Sequence, residues 1–223
     1  VSRAARFDAR WIGALALLGL VSRLPFLTRY LYHWDAVNFA LALQKFDINI
    51  HQPQPPGYVL YVMLGRVAAA IIPDVNTALI VVSILSAILA AVGLYLLGKR
   101  MFDMPTGAAA SLALLFSPLV WFYSLIAKPN IVDAPLVTWC ALLLWDVMRG
   151  NRRMILPAAI LLGLAGGFRQ QTLVFLAPLA VYAFRKLPFS LMLLGGGVTS
   201  LVFLASFVPM VIATGGLAQY KAA

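Results

Sequence analysis

Glutamate is absent from this chain of 223 residues, and its seven acidic residues are all aspartate. Cysteine occurs once, at Cys140, and histidine twice, at His33 and His51. Charged residues make up 11% of the chain, where a soluble domain carries about a quarter. Each shortage excludes something. One cysteine cannot build a disulfide framework, and Cys140 within an apolar run reads as a small buried side chain. A Walker loop, a strand-borne G-x-G-x-x-G and an H-E-x-x-H zinc motif are all missing. The polar segments have no room for a soluble nucleotide-binding domain, so a donor substrate would arrive through a membrane. Above all, there is too little polar surface to face water on every side.

What the chain has instead is apolar length. Hydrophobic residues reach 63% and the mean hydropathy is +0.93. Apolar stretches of about 18 residues recur from end to end, long enough for a hydrocarbon layer of about 30 Å. Helices are the expected form, because a helix satisfies its own backbone groups where no water can. The residue alternation of a membrane β-barrel is missing. The fold class is therefore an all-α polytopic transmembrane bundle with about seven spans, near 11–31, 76–98, 106–126, 131–148, 154–168, 172–184 and 188–213. Residues 1–223 read as one transmembrane module, the N-terminal part of a longer chain. The apolar run after Arg3, Arg6 and Arg10 has no small-residue cleavage site behind it and reads as a retained helix.

The net charge of +10 does not indicate nucleic acid, because the basic residues cluster between spans, where membrane topology places them. With the N-terminus inside, the inside loops hold Arg3, Arg6, Arg10, Lys99, Arg100, Arg149, Arg152, Arg153, Arg185 and Lys186, ten of the 17 basic residues. The localisation this implies is a multi-pass inner (cell) membrane protein with a cytoplasmic N-terminus. Were 154–184 one broken helix around Arg169, everything after it would invert, so two short helices are expected there.

The first outside loop, 32–75, is long yet apolar. Residues 36–46 predict a short amphipathic helix with Asp35 as its N-cap, and 58–72 predict a second; both suit the membrane surface. Between them lies His51-Gln52-Pro53-Gln54-Pro55-Pro56-Gly57. Its prolines stop any helix, and Gly57 permits a sharp turn. Asp35, after Tyr32-His33-Trp34, is either a helix cap or a general base at the membrane surface. Asp133, in Lys128-Pro129-Asn130-Ile131-Val132-Asp133-Ala134-Pro135, faces a helix dipole or orients a substrate. Arg169, after Gly166-Gly167, snorkels or pairs with a phosphate through its planar fork. Arg23 and Arg66 share that ambiguity, Lys128 is a further cation for a phosphate, and His51 is a loop residue with a weaker claim. Gly195-Gly196-Gly197 lies inside a span and reads as close helix packing.

In combination these motifs resemble the GT-C class of membrane glycosyltransferases, in the branch of the protein O-mannosyltransferases and aminoarabinose transferases. The resemblance rests on Arg23-Leu24-Pro25, Trp34-Asp35, His51 with Pro55-Pro56-Gly57-Tyr58, and Asp133-Ala134-Pro135-Leu136, in that order. It covers most of the chain, as that family's N-terminal helical module. It implies transfer of a sugar from a polyprenyl-phosphate carrier to an acceptor on the outer face, with inversion. Asp35 would be the base, and Arg169 or Lys128 the cation on the leaving phosphate. Asp133, His51, Arg23 and Arg66 complete the candidate substrate-binding set. The metal is unknown; a divalent cation between Asp35 and Asp133 is the one cofactor considered. The partners implied are the lipid-linked sugar, the bilayer and an acceptor glycan, lipid or protein, and not nucleic acid. The chain departs from the family in having Asp35-Ala36 where an acidic pair is common, and Gln54 where Lys or His often precedes Pro-Pro. The rival reading is a transporter or lipid flippase, which would show internal repeats and helices broken at mid-membrane; a non-catalytic scaffold is the third.

Overall fold

The computed structural model describes residues 3–185 and 187–222, with side chains from Arg6 onward. Lys186, one of the inside basic residues, lies outside the described residues. Among the described residues there are eleven α-helices: α1 (Arg3–Val21), α2 (Trp34–Gln44), α3 (Val59–Ile71), α4 (Val75–Met101), α5 (Met104–Leu115), α6 (Pro118–Tyr123), α7 (Asp133–Met148), α8 (Ile155–Phe168), α9 (Gln170–Phe184), α10 (Phe189–Ala213) and α11 (Leu217–Ala222). Short 3-10 turns join several of them, and no strand occurs among the described residues.

Among the described residues four helical stretches are long and apolar enough to cross a bilayer: Arg6–Phe26, Val75–Met101, Pro129–Met148 and Phe189–Ala213. The expected seven spans are thus met in length by four. The third expected span, 106–126, is broken. α5 stops at Leu115, and Pro118 opens the separate helix α6, because proline pushes the preceding residue, here Ser117, out of the helical region. The first helix ends earlier than expected, at Val21 rather than near 31. Pro25 stands at the start of the 3-10 turn Leu24–Phe26, and Arg23 turns inward.

Side-chain ties set the helix directions. Lys99 near the end of α4 bonds Asp8 near the start of α1, with Nζ 2.6 Å from Oδ2, so α1 and α4 are antiparallel. Gly98 of α4 lies against Gly107 of α5, while Trp11 donates to Ser111 at 3.4 Å, so α5 runs back beside α1. Asn76 of α4 donates to the Thr28 carbonyl at 2.8 Å, and Arg100 at the far end of α4 pairs with Asp146 of α7. Phe184 and Ile155 both border Gly195, which makes α8 and α9 antiparallel, and Gly163 and Gly167 receive Val202 and Ser206 of α10. The segment 154–184 is therefore two helices, as expected. α1, α4, α5, α7, α8, α9 and α10 run alternately between two ends. One end gathers the loops holding Asp35, Asp133 and Arg169; the other holds Arg100, Arg149 and Arg185.

α4 is the buried spine. Leu79, Ile80, Ser83, Ala87, Ala91 and Tyr95 are all essentially inaccessible. α10, in contrast, exposes Phe189, Leu201 and Ile212 at 71%, 69% and 69%, an apolar face that only lipid or another apolar partner would tolerate.

Both helices of the first loop form, as Trp34–Gln44 and Val59–Ile71. One detail differs from expectation: His33, not Asp35, caps α2, its Nδ1 accepting the Asp35 amide at 3.1 Å. Asp35 sits in the first turn with its carboxylate free of capping duty. The segment joining the two helices is turned by left-handed residues, His51 (φ 57°), Gly57 (φ 105°) and Tyr58 (φ 45°). A Cβ on Gly57 would lie 2.5 Å from Met210 Sδ and 2.7 Å from Ile48 Cδ1. Gly57→Ala would thus meet both a backbone conformation unfavourable to L-residues and a filled space. The expected loss is about 1–3 kcal/mol, measured by thermal unfolding in detergent; an unchanged midpoint would remove this account of the elbow.

Candidate functional site

The 3-10 turn Pro129–Val132 is the organiser of the site. Lys128 stands immediately before it and Asp133 immediately after it, and each engages a partner of opposite charge from elsewhere in the chain. Lys128 Nζ lies 2.8 Å from Asp35 Oδ2, with the lysine side chain only 13% exposed. Arg169 donates from one terminal nitrogen to Asp133 Oδ2 at 2.7 Å. Thr172 donates its hydroxyl to the other oxygen, Asp133 Oδ1, at 2.9 Å.

The two carboxylates are therefore in different states. Both oxygens of Asp133 are engaged. Asp35 is engaged through Oδ2 alone; its Oδ1 has no hydrogen-bond partner among the described residues. His33 Nδ1 approaches Asp35 Oδ2 to 3.4 Å. The same nitrogen accepts the Asp35 amide.

Tyr58 lies within electrostatic reach of both pairs. Burial pushes its phenol above the ordinary value; the Arg169 guanidinium opposes that shift, and the charges of Asp133 and Asp35 reinforce it. The ring packs edge-on against Phe39 of α2, centroids 5.3 Å apart. Beside it, the Pro56 carbonyl accepts from Gln170 Nε2 at 3.4 Å and from the Tyr220 hydroxyl at 3.2 Å, so the elbow is tied to α9 and α11. Among the described residues five buried polar side-chain atoms are left without partners, and three of them are Arg169 Nε, Gln170 Oε1 and Gln54 Oε1, the others being Tyr61 Oη and Asn76 Oδ1. Unpartnered buried donors and acceptors are costly, and Arg169 and Gln170 are adjacent at the break between α8 and α9.

Two cavities border this region. One of about 370 Å³ is lined by Arg169, Asn130, Ala134, Ile131, Tyr123 and Leu119. The other, about 360 Å³ and almost wholly apolar, runs past Val132, Pro135, Leu136, Trp139, Leu64 and Phe168.

Of the residues singled out in the sequence, Asp35, Lys128, Asp133 and Arg169 come together. The other three have different surroundings. Arg66 donates to the carbonyls of Leu43 and Ala42, at 2.9 and 3.2 Å, and so closes the far end of α2. Arg23 is completely buried. It donates to Ser124 at 3.0 Å, to Ser22 at 2.8 Å and to the Leu115 carbonyl, holding the end of α1 against α5 and α6. His51 is exposed in its left-handed turn. Thr172, Gln170 and Tyr58 were not marked by sequence reasoning as site residues. Thr172 stands in the first turn of α9, three residues after its N-cap Arg169, and no signal in the sequence marks it.

As for a cation, no group of three or more His, Cys, Asp or Glu side chains gathers among the described residues. Asp35 and Asp133 are each already matched to a basic side chain, an arrangement that does not fit a resident divalent ion between them.

A membrane-embedded helical bundle with paired carboxylates and cations at one end, beside an apolar cavity, has the parts for chemistry on a lipid-linked substrate. The family model for dolichyl-phosphate-mannose-protein mannosyltransferases matches residues 54–213, and the chain belongs to that family. It is a membrane glycosyltransferase of the GT-C type. No curated protein and no solved structure matches the chain. The matched interval takes in the Pro-Pro-Gly elbow, Asp133 and Arg169, and begins after Arg23, Asp35 and His51.

The ion pair is the test of the site's architecture. Thr172→Val should cost about 1.5 kcal/mol, the low end for one hydrogen bond to a charged carboxylate. Asp133→Asn and Arg169→Gln should each cost more, about 2–3 kcal/mol, because each strands a partly buried charge. Combined, the last two should cost less than their sum, with a coupling of about 0.5–3 kcal/mol. Simple additivity in detergent unfolding would mean that the pair contributes nothing as a pair.

Proposed function

We propose that the protein transfers a sugar from a polyprenyl-phosphate carrier to an acceptor hydroxyl at the outer face of the membrane, with Asp35 as general base. The observation that carries the assignment is the asymmetry of the carboxylates. Asp133 has both oxygens committed, whereas Asp35 keeps Oδ1 open beside the cluster. In the reaction, the acceptor O–H proton passes to Asp35 Oδ1 as the oxygen attacks the anomeric carbon. The anomeric C–O bond to phosphate breaks on the opposite side, so the configuration inverts and polyprenyl phosphate leaves. Lys128 holds the carboxylate through Oδ2 and turns Oδ1 toward the acceptor.

Arg169 has the role of phosphate ligand. Its Nε–H is buried and unpartnered, and the residue lines the cavity of about 370 Å³. Asp133 and Thr172 fix the other side of the guanidinium, so the free N–H is aimed before the phosphate arrives. A preorganised donor at a site of growing charge is the most effective electrostatic arrangement an enzyme has. The apolar cavity past Trp139 and Phe168 receives the first isoprene units, and the free amide oxygens of Gln54 and Gln170 accept sugar hydroxyls. Gln54 cannot neutralise a phosphate as a Lys or His would, which places that duty on Arg169 and Lys128.

Asp35→Asn tests the base. Because His33 supplies the α2 cap, neither Asp35→Asn nor Asp35→Ala should unfold the helix. Transfer of lipid-linked sugar by the full-length enzyme in proteoliposomes should fall about 10²–10⁴-fold in both. Near-normal transfer by a folded Asp35→Asn would move the base elsewhere.

Orientation is tested separately. In a Cys140→Ser background, Gln52→Cys should react with a membrane-impermeant maleimide added outside intact cells. Reaction only after the cells are opened would put the site on the cytoplasmic face.

A further inference from the structure

At the end of the bundle away from Asp35 and Asp133, a cavity of about 390 Å³ opens between the ends of α7 and α9. Three arginines from two separate stretches of chain line it: Arg149 just after α7 and Arg152 in the 3-10 turn Arg152–Met154 of the same connection, and Arg185 just after α9. Trp145 and Tyr182 supply aromatic walls. No carboxylate lines it among the described residues, and the nearby Asp146 is engaged by Arg100. α7 alone separates this cavity from Asp133 by roughly 24 Å at 1.5 Å per residue.

We propose that this cavity binds the phosphodiester headgroup of an anionic membrane lipid, in the leaflet opposite the candidate active site. Simple explanations account for part of it. A cation is stabilised at a helix C-terminus by the dipole, which covers Arg149 and Arg185 singly. Membrane topology favours basic loops on one side, which explains the sign. Neither explains why three guanidinium groups without acidic partners border one concavity, nor why Arg185 is held with its carbon 3.8 Å over the centroid of the Tyr182 ring. Stacking fixes the plane of the guanidinium and leaves its N–H edge for a planar or tetrahedral oxyanion.

The surroundings identify the occupant as a lipid and not a soluble anion. Val174, Val181, Tyr182 and Arg185 stand at helical spacing along one side of α9, with Val174 68% and Val181 69% exposed. An apolar strip thus runs along the helix into the arginine cavity. A headgroup in the cavity would lay its acyl chains on that strip, while free phosphate would leave the strip without a role.

Native mass spectrometry of the full chain released from mixed phosphatidylglycerol–phosphatidylcholine nanodiscs tests this, with inorganic phosphate as the soluble probe. The wild type should retain phosphatidylglycerol in preference to phosphatidylcholine. Arg149→Gln with Arg185→Gln should weaken retention roughly 30-fold, about tenfold per 1.4 kcal/mol for two surface charges. Arg6→Gln with Arg10→Gln, which removes the same charge from exposed positions on α1, should leave it unchanged. Tyr182→Ala keeps every charge, and hence the topology, and should weaken retention about threefold. If the Arg149 and Arg185 variant does not fold, Tyr182→Ala decides. Equal retention by the two double variants, no preference for phosphatidylglycerol, or wild-type retention by Tyr182→Ala would overturn the proposal. Displacement of the lipid by millimolar inorganic phosphate would overturn it in favour of a soluble anion.

Discussion

The pair between Asp133 and Arg169 is the constraint on which this end of the bundle depends. Two charges at the end of an apolar bundle are expensive unless they meet, and these two meet at 2.7 Å. To reach Asp133, the chain at Arg169 leaves the helix for an extended conformation, φ −156° and ψ 114°. α8 therefore ends there, α9 begins there, and the two lie antiparallel. Thr172, one turn into α9, takes the second carboxylate oxygen and fixes the rotation of α9 about its axis. From that corner follow the placement of Gln170 under the Pro56 carbonyl and the approach of α10 along the glycines of α8.

The second pair, Lys128 with Asp35, is set one 3-10 turn away. Such a turn rises roughly 2 Å per residue, so the turn from Lys128 to Asp133 holds two ion pairs side by side without merging them. The result is two carboxylates with different freedom, one saturated and one with an open oxygen. That difference, more than the presence of either residue, is what the proposed assignment of Asp35 as the base rests on.

The helix pattern was largely readable in the sequence because apolar run length and proline position act locally. The two helices of the first loop fall within two residues of their expected bounds for that reason. So does the break at 168–170, where Arg169 cannot continue an apolar span. The errors share a cause as well. Asp35 was expected to cap α2 because aspartate is a good cap, yet His33 stands two residues ahead and its ring nitrogen reaches the same amide. The span 106–126 looked continuous because hydropathy does not register Pro118. For Arg23 and Arg66 the sequence left two readings open, a snorkelling side chain or a phosphate ligand, since an arginine amid apolar residues reads the same whether it meets a substrate or a row of carbonyls.

By itself the sequence determined a helical membrane protein, its long apolar helices, and a proline-glycine elbow between two short ones. These follow from transfer energies and backbone sterics, which each residue carries wherever it stands. Only the tertiary structure decided that Lys128 answers Asp35, that Arg169 and Thr172 answer Asp133, and that Arg23 and Arg66 are spent on neutral oxygens. The partner of a charge is a matter of distance across the bundle, and the residues of the two ion pairs, 36 and 93 positions apart, carry no local signature of one another.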